Sequence, residues 1–89
     1  MKTMKNPYNI ILHPYVTEKT MFQMERENKL EFVVHRRANK KMIKGAFEEL
    51  FEGKVVDVNT RICKDGKHAI IKLHKDYSAE EIGMRIGIF

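Results

Sequence analysis

A pair of alternating segments joined by a short turn constrains the fold of this chain more than any other sequence feature. Over residues 55–63 one side carries Val56, Val58, Thr60 and Ile62, and the other carries Val55, Asp57, Asn59, Arg61 and Cys63. Residues 68–74 alternate again, with Ala69, Ile71 and Leu73 on the side predicted to be buried. The intervening Lys64-Asp65-Gly66-Lys67 contains an Asp-Gly pair, which favours a tight turn. The pattern predicts a β-hairpin.

The remaining periodic segments alternate between strand and helix. Strands are predicted over residues 8–12 and 30–35, and helices over residues 18–26, 40–52 and from residue 79 onward. This order predicts an α+β fold: a single compact domain with a mainly antiparallel sheet of about four strands and two to three packed helices. A chain of 89 residues has no room for a second core. Residues 1–6 are basic and polar, and we expect them to form a loose tail.

Particular residues are expected to cap the helices, to end them, or to face the core. Thr17, Asn39 and Ser78 are predicted N-caps because their side-chain oxygens can accept a first-turn N–H. In the first helix the residues predicted to face inward are Met21, Phe22 and Met24. Gly53 is expected to end the central helix in the left-handed conformation, and Gly45 to pack closely against a strand.

The positive charge of the chain is concentrated at the start of the central helix. Residues 35–44 contain Arg36, Arg37, Lys40, Lys41 and Lys44 and no acid, which equals the net charge of +5 of the whole chain. Cations in a helix's first turn oppose its dipole, so a free-standing domain gains nothing from them. A bound phosphate would use the N–H donors, the dipole and the cations together. The segment therefore predicts a nucleic-acid site around the Asn39 cap; the alternative is a solvated face that only keeps the protein soluble.

The hairpin is expected to extend this basic surface toward RNA. The predicted contacts there are Asn59, Thr60, Arg61, Lys67, His68 and Lys72. Each of these residues, taken alone, fits equally well a polar strand face in contact with water. No RNP-type aromatic strand, GXXG loop or zinc knuckle is present, so we expect contacts mostly to phosphate and sugar of a folded RNA.

Other chemistries find little support in the sequence. The four histidines and Cys63 lack the spacing of a metal-ligand set, so neither a metal nor a cofactor is predicted. There is no catalytic constellation of carboxylates or nucleophile and base, and no glycine-rich phosphate loop. A single cysteine excludes an internal disulfide and fits a reducing cytosol. No apolar run is long enough to span a membrane, so membrane insertion is not expected.

Several motifs, in order along the chain, resemble the ribosomal protein L23 family of the large ribosomal subunit. They are Ile-Leu-His-Pro-Tyr-Val-Thr-Glu-Lys at 11–19, Asn-Lys-Leu-Glu-Phe-Val-Val at 28–34, Ala-Asn-Lys-Lys at 38–41, Val-Asn-Thr at 58–60 and Lys-His-Ala-Ile-Ile-Lys-Leu at 67–73. The resemblance covers residues 8–89. The compact hairpin and the ending Arg-Ile-Gly-Ile-Phe at 85–89 are similar to the archaeal members.

The resemblance implies a structural protein of the ribosome in the cytoplasm, and not an enzyme. It implies binding to large-subunit rRNA of the 23S type, beside neighbouring large-subunit proteins near the polypeptide exit tunnel. It also implies a docking site for the signal recognition particle, exit-site chaperones and the protein-conducting channel. The acid that contacts the chaperone in bacterial members corresponds to Glu18, preceded by Val16 and Thr17. Archaeal members lack that chaperone, so Glu18 would meet a different partner.

Two departures from the family pattern change what is expected. Bacterial members carry a long basic extension into the tunnel, whereas the connection here is only residues 64–67, so no role inside the tunnel is implied. His68 stands where a lysine or arginine is usual, which weakens one phosphate contact. Two functions remain as alternatives: a small phosphate-handling enzyme of acylphosphatase-like architecture, and a basic protein–protein adaptor.

Overall fold

The computed structural model describes residues 7–87 and contains one four-stranded antiparallel sheet with helices packed against it. The elements, in chain order, are α1 (Pro7–Ile10), β1 (Ile11–Pro14), α2 (Glu18–Glu27), β2 (Lys29–Val34), α3 (Lys40–Phe51), β3 (Val55–Cys63), β4 (Gly66–Leu73) and α4 (Ala79–Ile86). The strand order is β1-β2-β4-β3. The predicted α+β class and four-stranded sheet are confirmed. The tail predicted for residues 1–6 and the last two residues of the chain lie outside the described residues.

The predicted hairpin is confirmed, and its register defines the two faces of the sheet. Thr60 lies opposite Ala69, and Val58 lies opposite Ile71. The turn consists of Lys64 and Asp65, and Gly66 opens β4 with a φ of 130°. A register shift between Val55 and Asp57 interrupts the alternation. Val55 is therefore buried together with Val58, whereas Val56, which the simple alternation places with Val58, is exposed.

The hydrophobic core lies between one sheet face and the helices. Ile43 and Phe47 of α3 are fully buried, and they belong to one apolar cluster with Phe32 of β2 and Ile71 of β4. The Phe47 ring meets the Phe32 ring edge-on, with centroids 5.8 Å apart. Helix α4 adds Ile82 to the same cluster, and α2 adds Met24. The described part of the chain contains no helix long and apolar enough to cross a membrane.

The beginning of the chain and helix α2 differ from the sequence prediction. Residues 8–10, predicted as strand, form a single helical turn that Pro7 begins, because proline's fixed φ suits the first helical position. Strand β1 follows at Ile11. In α2 only Thr20 and Met24, four residues apart, are buried. Phe22 lies off that stripe and is 54% exposed, with the Arg26 guanidinium 5.3 Å from its ring centroid, so the prediction that it faces inward is wrong.

The glycines of α3 also behave differently from the prediction. Glu52, not Gly53, adopts the left-handed conformation that ends the helix, with a φ of 55°. Gly53 is buried, and a Cβ there would lie 3.3 Å from Cδ1 of Ile82, so close packing explains this glycine. Gly45 is exposed, and a Cβ there would meet nothing within 4 Å. The expected close approach of a strand to Gly45 is therefore wrong.

Asn28 joins three elements at the end of the sheet where β2 begins. Its φ of 57° ends α2, and its side-chain amide donates to the Tyr77 carbonyl at 2.8 Å. Its Oδ1 accepts the backbone N–H of Ala79, the first residue of α4, at 2.7 Å. Longer hydrogen bonds of 3.4 Å reach the carbonyls of Leu73 and His74. One side chain thereby fixes the start of α4 against the start of β2.

Candidate nucleic-acid interface

The N-terminus of α3 has the geometry that the sequence predicted. Asn39 is extended, and its Oδ1 accepts the backbone N–H of Met42 at 2.8 Å. Lys40 and Lys41 follow in the first turn, which contains no acid. The first N–H groups of a helix have no partner within the helix, so the cap leaves donors that an anion can use. The helix dipole and the lysines thus present positive charge at the same place.

The five cations of residues 35–44 are all exposed and have no carboxylate partner in the described chain. They are Arg36, Arg37, Lys40, Lys41 and Lys44. Across residues 7–87, none of them forms an ion pair or a side-chain hydrogen bond. Internal acids therefore do not compensate this charge, which remains available to an external anion.

Lys67 brings the turn of the hairpin to the start of α3. Its Nζ donates to the carbonyl of Ala38 at 2.6 Å, one residue before the Asn39 cap. Lys67 also lies opposite Val34, the last residue of β2. We refer to Arg36, Arg37, Lys40, Lys41, Lys44 and Lys67 together as the basic end. It gathers cations from two separate parts of the sequence.

The polar hairpin residues expected to extend the basic surface lie on both faces of the sheet. Thr60 lies opposite the core residue Ala69, and Lys67 lies two residues before Ala69 on the same strand. Both therefore lie on the face that the helices cover. The opposite face, which we call the second face, carries Asn59, Arg61, His68 and Lys72. Of these four residues, only His68 is buried. The predicted single surface is therefore divided between the basic end and the second face.

The sequence places His68 among the residues that extend the basic surface, but it is 1% exposed, so the expectation of an accessible side chain is wrong. The Tyr15 ring packs edge-on against the imidazole, with centroids 4.4 Å apart. The ring nitrogens lie 2.7 Å from Oε2 of Glu31 and 2.8 Å from Oδ1 of Asp65. Alternation within the hairpin assigned His68 to the correct face, but it gave no sign that the segment after β1 covers that face.

Glu31 is a buried acid, and the sequence did not predict its contacts with the residues of the second face. Its carboxylate is 3% exposed and accepts a hydrogen bond from Arg61 Nη2 at 2.7 Å, besides its contact with His68. The negative charge of Glu31 raises the pKa of the Arg61 guanidinium above its usual value. An acid within the apolar run of β2 was the available signal, because a buried carboxylate requires a charged partner. Arg61 remains 44% exposed, so it can contact Glu31 and solvent together.

The residues predicted to dock proteins surround the start of α2. Val16 and Glu18 are exposed. Thr17 is half-buried and forms the predicted cap: its Oγ1 accepts the N–H of Thr20 at 3.2 Å, while the Thr20 hydroxyl accepts the N–H of Thr17 at 2.7 Å. The capping box fixes the backbone here, so Val16 and Glu18 are presented by a defined turn.

Opposite charges mark the two ends of α3. Its last turn contains no base, and Glu48, Glu49 and Glu52 follow one another along its second half. Glu52 lines a cavity of about 140 Å³ together with Asp76 and Glu81, and Arg85 is the one base in that lining. The basic end therefore has an acidic counterpart about 18 Å away along a helix of 12 residues. An anionic partner is favoured at one end and disfavoured at the other.

The hairpin turn also brings together three side chains that can ligate a metal, although their spacing in the sequence predicted no such set. One ligand atom each from Cys63, Asp65 and His68 lies within 4.8 Å of the other two. Hydrogen bonding from His68 lowers the pKa of the Asp65 carboxyl below its usual value. This group lies on the second face, beside Arg61.

Comparison with known proteins gives one consistent result. A family model described as ribosomal protein L23 matches residues 9–78. The large ribosomal subunit protein uL23 of Picrophilus torridus is 54% identical over 79 residues, which cover 89% of this chain and 96% of that protein. The protein of the same name from Thermoplasma acidophilum is 54% identical over 81 residues, 91% of this chain and 96% of its own length. That of Methanosphaera stadtmanae is 49% identical over 85 residues, 94% of this chain and 99% of its own length.

Proposed function

The chain belongs to the ribosomal protein L23 family, and on that premise we propose that its basic end binds phosphates of large-subunit rRNA close to the exit of the polypeptide tunnel. It is a structural protein of the large ribosomal subunit and is not an enzyme. The phosphate-handling enzyme considered as an alternative is therefore excluded. The similar proteins are archaeal, in agreement with the archaeal type indicated by the short hairpin.

The observation that carries the proposal is the uncompensated charge at the start of α3. Each cation in a first turn raises the free energy of the isolated helix by about 0.3–1 kcal/mol at low ionic strength. Within residues 7–87, no acid forms an ion pair with Lys40 or Lys41 that would offset this cost. A phosphate at the Asn39 cap would accept from the free N–H groups and neutralise the lysines. The arrangement is unfavourable alone and favourable with a polyanion.

The proposed RNA footprint extends from the basic end to the exposed residues of the second face. It comprises the six cations of the basic end, the Asn39 cap, and Asn59, Arg61 and Lys72 of the second face. Thr60, half-buried on the face that the helices cover, is also included. His68 is left out because its imidazole is buried beneath Tyr15 and both of its nitrogens are engaged. The Lys67 ammonium already donates one hydrogen bond to the Ala38 carbonyl, so only its other protons can contact RNA. Five neutralised phosphates correspond to a slope of log K against log salt of about −3 to −5.

We further propose that the exposed turn before α2 meets proteins at the tunnel exit. Val16 supplies an apolar contact, and Glu18 supplies a charge at a backbone that the Thr17 cap holds in place. The partners we propose are neighbouring large-subunit proteins, the signal recognition particle, exit-site chaperones and the protein-conducting channel. Substituting Glu18 by glutamine should weaken such docking without changing RNA binding, because Glu18 is outside the basic end.

The RNA-binding proposal can be tested by removing two cations at the basic end. The double variant Arg36→Gln/Arg37→Gln is compared with Arg26→Gln/Arg85→Gln, which loses the same charge at exposed positions in the last turns of α2 and α4. We expect the first variant alone to bind large-subunit rRNA fragments more weakly, with a salt slope reduced by about 1.4–1.8. Cosedimentation with large subunits and protection of a defined rRNA segment from cleavage measure the same contact. Equal losses in both variants would show that only net charge matters, and would contradict the proposal.

A further inference from the structure

We propose that Cys63, Asp65 and His68, at the turn of the β3–β4 hairpin, form a binding site for a divalent transition metal of the Zn²⁺ type. The three ligand atoms lie within 4.8 Å of one another. The three residues differ in their exposure to solvent. Cys63 is half-buried, Asp65 is exposed on the turn, and His68 is buried. The site lies at the hairpin turn, where Lys67 of the basic end precedes His68 in the chain. Its binding of a metal can be measured without RNA.

The surroundings of His68 direct one ring nitrogen toward the proposed site. The two ring nitrogens have different partners, Nδ1 at 2.7 Å from Glu31 and Nε2 at 2.8 Å from Asp65. Glu31 is outside the set of three ligands, so it can hold the ring through Nδ1. Nε2 is then the nitrogen that faces Asp65, another member of the set.

Glu31 prepares the imidazole as a metal ligand. Metal-binding histidines usually donate their other ring N–H to a carboxylate, which orients the ring and makes the ligating nitrogen more basic. The buried Glu31 is placed for this contact with Nδ1 of His68. Arg61 holds the same Oε2 at 2.7 Å and neutralises the Glu31 charge. Tyr15 packs against the ring and restricts its rotation.

The donor set and the charge balance favour a borderline metal over a hard cation. A thiolate, an imidazole and a carboxylate suit Zn²⁺, which takes four tetrahedral ligands and here would keep one position for water. Cys63 and Asp65 as anions neutralise a divalent ion, since Glu31 and Arg61 neutralise each other. Tetrahedral metal–ligand bonds of about 2.0–2.3 Å put the ligand atoms about 3.3–3.7 Å apart. The widest separation, within 4.8 Å, must therefore shorten, and the 2.8 Å between His68 Nε2 and Asp65 Oδ1 must lengthen. Asp65 and Cys63, the more exposed residues, can move by that amount around a fixed His68.

Cobalt titration of the full chain tests the site directly. The protein is kept reduced without added thiol, freed of metal with a chelator, and titrated with Co²⁺, whose absorption reports coordination geometry. Cys63 is the sole cysteine of the sequence, so a thiolate-to-cobalt band can come only from it. We expect one ion per chain, visible bands of a tetrahedral site, a thiolate band, and displacement of both by Zn²⁺.

Three variants separate this site from adventitious binding. Cys63→Ser should lose the thiolate band, and Asp65→Asn should weaken Co²⁺ binding by about tenfold or more. His74→Gln is the control, because His74 Nδ1 lies 3.3 Å from Oδ2 of Asp76 in an exposed histidine–aspartate pair without a cysteine. It should bind Co²⁺ as the unmodified chain does. Far-ultraviolet circular dichroism verifies that each variant is folded.

Two results would overturn the inference. The first is an unmodified chain that shows no thiolate band in a large excess of Co²⁺. The second is a folded Asp65→Asn variant whose thiolate-to-cobalt band or Co²⁺ affinity is the same as that of the unmodified chain.

Discussion

Replacing Lys40 and Lys41 by glutamate should stabilise the isolated protein while weakening its binding to RNA. Both lysines are exposed in the first turn of α3, directly after the Asn39 cap, and neither has an ionic partner within residues 7–87. Each substitution removes an unfavourable interaction with the helix dipole and adds a favourable one, each of about 0.3–1 kcal/mol. For the pair, we expect the free energy of unfolding to rise by about 1–4 kcal/mol at low ionic strength. In a domain of this size, the corresponding rise in Tm is about 5–30 °C.

Thermal and urea unfolding at low and high salt measure this effect. The stabilisation should shrink at high salt, where the Debye length falls to about 3 Å at 1 M and the exposed charges are screened. Binding to large-subunit rRNA is measured with the same protein. Loss of two phosphate contacts should reduce the salt slope by about 1.4–1.8, and the new acids should add repulsion.

The matched control is Lys54→Glu/Lys75→Glu, which changes the net charge equally at exposed positions outside the helices. It should show no stabilisation and a smaller loss of RNA affinity. A Lys40→Glu/Lys41→Glu variant that is less stable than the unmodified chain at low salt would refute the dipole argument. An RNA affinity equal to that of the control would refute the assignment of these lysines to the interface.

The other predictions concern the stability of the isolated domain, measured by urea unfolding. Gly45→Ala should raise the free energy of unfolding by about 0.5–1 kcal/mol, because the new methyl group meets nothing within 4 Å and alanine favours the helix; a decrease would show a hidden contact. Phe47→Ala should lower it by about 3–5 kcal/mol, while Phe22→Ala should change it by no more than about 0.5 kcal/mol; similar effects at the two sites would contradict the description of the core. Asn28→Gly retains the left-handed backbone but loses the side-chain hydrogen bonds, and it should lower the free energy of unfolding by about 2–4 kcal/mol; a neutral effect would mean that those bonds contribute nothing.

The features that could be predicted from the sequence are local ones. The hairpin follows from alternation on both sides of a turn, and the start of α3 follows from Asn39 and the apolar stripe behind it. Both depend on residues a few positions apart, so no knowledge of tertiary contacts was needed. The basic end could be anticipated for the same reason, because five of its six cations lie within residues 36–44.

The features that the sequence did not reveal depend on contacts between distant elements. His68 is buried because Tyr15 covers it and Glu31 of another strand binds it. Gly53 is required by its contact with Ile82 of α4, and not by its own backbone conformation. Lys67 joins the basic end through a hydrogen bond to Ala38, 29 positions earlier in the chain. Alternation and capping rules contain no information about such pairs.

The order of strands in the sheet has a consequence for how each new copy of the protein is made. The two inner strands are β2 and β4, and β4 is the last strand to be synthesised. Until β4 leaves the ribosome, β2 is paired only with the four-residue β1, and Ala69 and Ile71 of β4 are missing from the core. The hydrogen bond from Ala79 to Asn28 then closes a span of 51 residues. Folding of this domain is therefore completed only after Ala79 has been synthesised, and a nascent copy exposes aggregation-prone strand edges until that moment.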